Sequence, residues 1–82
     1  MALNTLQITV LNWFYSCHTK GKPASYKGSI EHFGEVMKIH EPMNVIMSLL
    51  NMGFIEINKN KLEVSITKAG IEQIESLRKR SL

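Results

Sequence analysis

The side chains best suited to chemistry in this chain do not form a catalytic arrangement. Cys17 and the three histidines His18, His32 and His40 lack the spacing of a zinc site. No glycine-rich phosphate loop follows a strand, and no Ser/His/Asp order or carboxylate pair stands out. We therefore expect no enzymatic activity, no cofactor and no metal ion.

Positive charge is the chemical property that the sequence does supply. Ten Lys and Arg residues oppose seven Asp and Glu, which gives a formal net charge of +3. Such a balance permits a polyanionic partner. Between Lys38 and Lys59 there is no Lys or Arg, so contacts to phosphate must come from the edges of this span. The candidate backbone contacts are Lys27, Lys38, Lys59 and Lys61, and the alternative is that each is a solvated surface charge.

The span between Lys38 and Lys59, which lacks Lys and Arg, carries a second candidate set. If Ile46 lies at the centre of a buried helical face, a rotation of about 100° per residue places His40 and four other side chains on the outer face. Asparagine can pair with adenine, serine can donate or accept, and methionine can pack on a thymine methyl group. The candidate base contacts are Asn44, Met47, Ser48 and Asn51. The alternative is a solvated polar face.

A first helix is predicted over residues 4–19, where apolar side chains recur at spacings of three and four. Asn4 is the expected N-cap, and the glycine and proline of residues 20–23 end the helix. A short strand is expected at residues 24–26. The elements that follow this strand must position the candidate base contacts and backbone contacts.

A second helix carries Lys38, and a third helix carries the outer face just described. Ser29 is the expected N-cap of the second helix, which should end near Ile39. The third is predicted over residues 42–52, with Pro42 at its first position and Gly53 after its end. The short connection between them is that of a helix-turn-helix pair.

After Gly53 the apolar period changes to two, which predicts a β-hairpin. Ile55 and Ile57 face inward on one strand, and Leu62, Val64 and Ile66 on the other. The polar turn at residues 58–61 contains two asparagines, which tolerate left-handed backbone angles. Thr67 is the expected N-cap of a last helix. The predicted core consists of Phe14, Phe33, Ile46, Leu49, Leu50, Ile55, Val64, Ile66 and Ile74.

This order of elements resembles the winged helix-turn-helix superfamily of bacterial, archaeal and phage regulators. The resemblance is carried by the segment Met52-Gly53-Phe54-Ile55 after the third helix and by Ile66-Thr67-Lys68-Ala69-Gly70 before the last one. It implies a mainly helical α+β fold with helices 1–3, a hairpin wing and a C-terminal helix. It also implies that the third helix enters the major groove of double-stranded DNA and that the wing tip at residues 58–61 lies along the backbone.

Eighty-two residues fit a single domain spanning residues 1–82. The single cysteine favours a reducing compartment, and no apolar run approaches the ~18 residues of a membrane span. We therefore expect a cytoplasmic protein without membrane contact.

Two partner classes remain open at this point. A DNA-binding regulator would act as a homodimer, with the first or last helix at the dimer surface. Some winged helices bind only proteins, and the third helix here lacks positive charge. Met37, Met43, Met47 and Met52 cluster in the second and third helices, and flexible thioethers suit adaptable protein-binding surfaces.

Overall fold

The computed structural model describes residues 3–80 and has a mainly helical α+β fold, as predicted. The elements in chain order are α1 (Thr5–Thr19), β1 (Ala24–Ser25), α2 (Tyr26–Glu31), a π-helical turn (His32–Val36), α3 (Pro42–Asn51), β2 (Ile55–Asn58), β3 (Glu63–Ile66) and α4 (Lys68–Arg80). Within the described residues, the strands form a small antiparallel sheet in the order β1-β3-β2. No helix of residues 3–80 has the length and apolar character needed to cross a membrane.

The start of α1 is fixed by a reciprocal cap, which confirms Asn4 as the N-cap. The Asn4 side chain accepts a hydrogen bond from the backbone N–H of Gln7 at 2.8 Å, and Gln7 Oε1 accepts one from the Asn4 backbone N–H at 2.9 Å. The Gln7 amide also donates through Nε2 to Ser48 Oγ at 3.1 Å. The first turn of α1 is thereby bound to α3.

The second helix begins earlier than the sequence suggested, and the prediction of Ser29 as its cap is wrong. Ser25 is the N-cap, and its hydroxyl oxygen accepts from the backbone N–H of Gly28 at 3.0 Å. Ser29 is buried one turn further on and donates to the Ser25 carbonyl at 2.6 Å. Because β1 ends at Ser25, the helix follows the strand directly.

A strained turn joins the second helix to α3. The second helix widens into the π-helical turn and ends earlier than predicted. After this turn, the backbone N–H of Ile39 donates a hydrogen bond to the Phe33 carbonyl at 2.8 Å. Lys38 and Glu41 have φ values of 58° and 55°, in the left-handed region that residues with a Cβ atom seldom occupy. Pro42 takes the first position of α3, as expected.

The hairpin has the predicted strands but a different turn. Asn58 pairs with Glu63, and its side chain accepts from the backbone N–H groups of Asn60 and Lys61. The left-handed residue is Leu62, with φ of 52°, rather than an asparagine. The prediction that Leu62 faces inward is wrong, because the Leu62 side chain is 61% exposed. The alternation of buried and exposed side chains in β3 begins only at Glu63.

The core matches the predicted set at every position but one. Leu50 is only partly buried, whereas the other eight residues of that set are buried. Trp13 packs edge-on against Phe14 and Phe33 and stacks on His32 at 4.9 Å. Further core residues that the prediction did not include are Val10, Leu11, Ala24 and Ile39.

Thr67 caps α4, as predicted. Its hydroxyl accepts from the Gly70 backbone N–H at 3.1 Å and donates to the Gly53 carbonyl at 2.6 Å. The end of α3 and the start of α4 are therefore held by one side chain. Ser81 and Leu82, the last two residues of the sequence, lie outside the described residues.

Candidate functional site

The outer face of α3 carries uncharged side chains. Ile46 and Leu49 have no exposed surface and turn the opposite face of the helix toward the core. The outer face exposes Met43, Asn44, Met47 and Asn51. The predicted outward placement is confirmed for Asn44, Met47 and Asn51. Met43 was not predicted, although its spacing of four from Met47 puts both on one side of the helix.

Ser48 does not belong to this face, and its predicted outward placement is wrong. It is partly buried, its hydroxyl donates to the Val45 carbonyl at 2.7 Å, and its oxygen accepts from Gln7 at 3.1 Å. A serine hydroxyl has one proton to donate. Because that proton is used within α3, Ser48 joins α3 to α1 instead of presenting a donor at the surface.

Asn44 lies near the start of α3 beside an acidic side chain. Its amide donates to Glu41 Oε2 at 3.1 Å. An asparagine side chain has two N–H donors and a carbonyl acceptor, so this bond leaves one donor and the acceptor for another partner. The Glu41 carboxylate suits the positive end of the helix dipole, but it also brings negative charge to the face.

The four candidate backbone lysines are all exposed and flank α3 in the chain. Lys59 and Lys61 lie in the hairpin loop, which we define as residues 59–62. Lys38 lies in the strained turn before α3, and Lys27 is the second residue of α2. Exposed positive charge thus lies before and after α3 in the chain, and α3 itself carries no Lys or Arg.

Tyr26 connects the hairpin loop to the outer face of α3. Its backbone N–H donates to the Leu62 carbonyl at 2.8 Å, and its hydroxyl donates to Met43 Sδ at 2.7 Å. The loop that carries Lys59 and Lys61 is therefore separated from the α3 face by no more than the length of one tyrosine. No local pattern predicts this contact, because Tyr26 meets partners that are distant in the chain.

No family model, curated protein or solved structure matches this chain. The site is therefore interpreted from its own chemistry. The outer face of α3 offers amide hydrogen-bonding groups and thioethers, and the segments before and after α3 carry exposed ammonium groups. A duplex nucleic acid presents the complementary arrangement, with base edges in a groove and phosphates along both sides.

A separate pocket of about 250 Å³ lies between the end of α1 and β3. Its lining includes Cys17, His18, Lys22 and Glu63. Burial raises the pKa of the Cys17 thiol, an effect that Lys20 partly offsets, so the thiol is a weak nucleophile at neutral pH. Within residues 3–80, no group of three or more His, Cys, Asp or Glu side chains is arranged to hold a metal ion.

The basic end of α4 is engaged with α1. Arg78 lies over the Tyr15 ring at 4.6 Å and donates to Asn12 Oδ1 at 2.9 Å. Tyr15 in turn donates from its hydroxyl to Glu75 at 3.2 Å. The guanidinium of Arg78 therefore serves the packing of α4 on α1.

Proposed function

We propose that this protein is a winged helix-turn-helix domain that binds double-stranded DNA and acts as a small transcriptional regulator without catalytic activity. In this proposal α3 enters the major groove and the hairpin loop lies along the phosphate backbone. The observation that carries it is the Tyr26 connection, because it places a lysine-bearing loop beside an exposed, uncharged helix face. Affinity and sequence preference then come from different parts of one surface.

Each part of the surface has a role in the proposal. Asn44, Met47 and Asn51 contact base edges, since amides can pair with adenine and a thioether can pack on a thymine methyl group. Contacts to phosphate come from Lys27, Lys38, Lys59 and Lys61.

We further propose that the domain acts as a homodimer in the cytoplasm. Two copies of α3 would meet successive major grooves and double the contacts of a small domain. Ile71, Ile74 and Leu77 of α4 pack against the core of their own chain, whereas Leu6 on α1 is 46% exposed. This distribution favours α1 over α4 as the dimer surface.

The proposal is tested by measuring the affinity for a random-sequence duplex over a series of salt concentrations. We expect binding that weakens with salt, and the variant K59A/K61A should reduce the slope of log K against log salt by about one to two units. The matched control is K68A/K79A, which removes the same charge from α4. Absence of duplex binding at low salt would reject the proposal, and an unchanged slope in K59A/K61A would remove the hairpin loop from it.

A second candidate function is a protein-interaction module that does not bind DNA. The exposed apolar side chains Met43, Met47 and Leu62 favour it, together with Glu41 at the N-cap of a helix without lysine or arginine. If Asn44→Ala leaves duplex binding unchanged but disrupts a dimer or complex in gel filtration, α3 is a protein-binding surface and this candidate replaces the first.

A further inference from the structure

Four residues form a strip that links the hairpin loop to α3 across the proposed DNA-binding surface. We call it the methionine strip, and it consists of Leu62, Tyr26, Met43 and Met47. Leu62 and Tyr26 are joined by a backbone hydrogen bond, Tyr26 and Met43 by the bond from hydroxyl to sulfur, and Met47 lies one helical turn beyond Met43. Leu62 is 61% exposed, and the two methionines are 42% exposed each.

The position of this strip identifies what it contacts. Exposed apolar side chains gathered on one surface mark a contact site, whereas scattered ones need no explanation. One end of the strip lies in the loop that carries Lys59 and Lys61, whose exposed ammonium groups are complementary in charge to a polyanion. The other end runs along α3 between Asn44 and Asn51.

A single feature of duplex DNA matches thioethers placed beside amides. In the major groove, an A·T pair presents the C5-methyl group of thymine next to the N6 and N7 atoms of adenine. A methionine and an asparagine on one helix face can therefore contact the same base pair. A G·C pair offers no methyl group at this position.

We infer that the preferred ligand is A·T-rich duplex DNA recognised through its thymine methyl groups. Met43 and Met47 are the residues that determine this preference, and Tyr26 is a positioning residue that holds the Met43 thioether. This inference rests on the proposed function and names the class of DNA that the same surface prefers.

The test compares thymine with uracil, which lacks only the C5-methyl group. A duplex enriched from a random-sequence pool by binding to the protein is synthesised once with thymine and once with deoxyuridine in its place. Burial of one methyl group corresponds to about a fourfold change in affinity. We expect the uracil duplex to bind about fourfold to fifteenfold more weakly, for one or two contacted methyl groups.

Three variants separate methyl recognition from changes in duplex shape. M43A/M47A should bind the two duplexes equally, and Y26F should reduce the thymine preference while the salt slope is unchanged. V36A is the matched control, because Val36 is 66% exposed on the π-helical turn and outside the strip. The V36A variant should keep the full preference for the thymine duplex over the uracil duplex. Circular dichroism melting of each variant verifies that it is folded.

The failures of the two proposals are distinguishable. Equal binding of both duplexes by the unchanged protein, with salt dependence retained, overturns the inference and leaves the proposed function in place. A thymine preference that survives in M43A/M47A also overturns it, since the preference would then arise from duplex shape. Absence of binding to any duplex at low salt overturns both.

Discussion

Gly70, the third residue of α4, lies where a larger side chain has no room. A Cβ atom at this position would overlap the Phe54 carbonyl oxygen and come within 2.7 Å of Ile66 Cγ1. The Phe54 carbonyl cannot easily move away, because it accepts a hydrogen bond from the Thr67 backbone N–H at 3.0 Å. We therefore predict that Gly70→Ala destabilises the protein, although alanine is the better helix former.

Two opposing effects set the magnitude. Replacing glycine by alanine in a helix gains about 1 kcal/mol through propensity. Overpacking costs about 1–3 kcal/mol or more, and the upper part of that range applies because a backbone atom is displaced. The net loss in free energy of unfolding is about 2 kcal/mol. For a domain of this size each kcal/mol lowers the melting temperature by roughly 4–8 °C, so we expect a fall of about 8–16 °C.

Gly34 provides the matched control. A Cβ atom there would meet only Pro42 Cγ at 3.9 Å, an ordinary contact, and its φ is not in the left-handed region. Gly34→Ala should therefore leave stability unchanged or raise it by about 0.4–1 kcal/mol. Both variants are measured by circular dichroism during thermal and urea unfolding. If Gly70→Ala melts as high as Gly34→Ala, the described junction of α3, β2 and α4 is wrong.

Further predictions concern the core, base recognition and the thiol. Leu49→Ala should cost about 2–5 kcal/mol in urea unfolding, because Leu49 is fully buried, and melting like the parent would contradict the placement of α3. Asn44→Ala should lose about 1–3 kcal/mol on a selected site but almost nothing on random DNA, as binding titrations of both would show. An equal loss on both would assign Asn44 to general affinity. Cys17 should react with iodoacetamide more slowly than free cysteine near neutral pH, since burial raises its pKa; an equal or faster rate would contradict this.

Much of the fold was predictable because it depends on local chemistry. The helix period placed Ile46 and Leu49 in the core, and the caps at Asn4 and Thr67 need only side chains three residues away from the amides they bind. The strand period likewise located β2 and most of β3. These features are determined within a few residues of sequence.

The predictions that are wrong concern residues for which the local sequence allows two arrangements and contacts with distant residues select one of them. Ser25 and Ser29 are both good caps, and only the burial of Ser29 in the assembled fold selects Ser25. Leu62 fits the alternation of a strand, yet its left-handed backbone and its bond to Tyr26 turn it outward. The outer face of α3 was predictable from angles alone, except for Ser48, whose partner Gln7 lies on another helix.

The side chain of Gln7 has a consequence for the order in which the chain folds. Its oxygen closes the first turn of α1, whereas its nitrogen binds Ser48, a residue 41 positions further along the chain. The first of these bonds forms within one helical turn, but the second requires closure of a long loop, which costs chain entropy before any contact is gained. Loop-closure entropy therefore predicts that the two hydrogen bonds of this one amide form at opposite stages of folding, the helix cap first and the bond to α3 last.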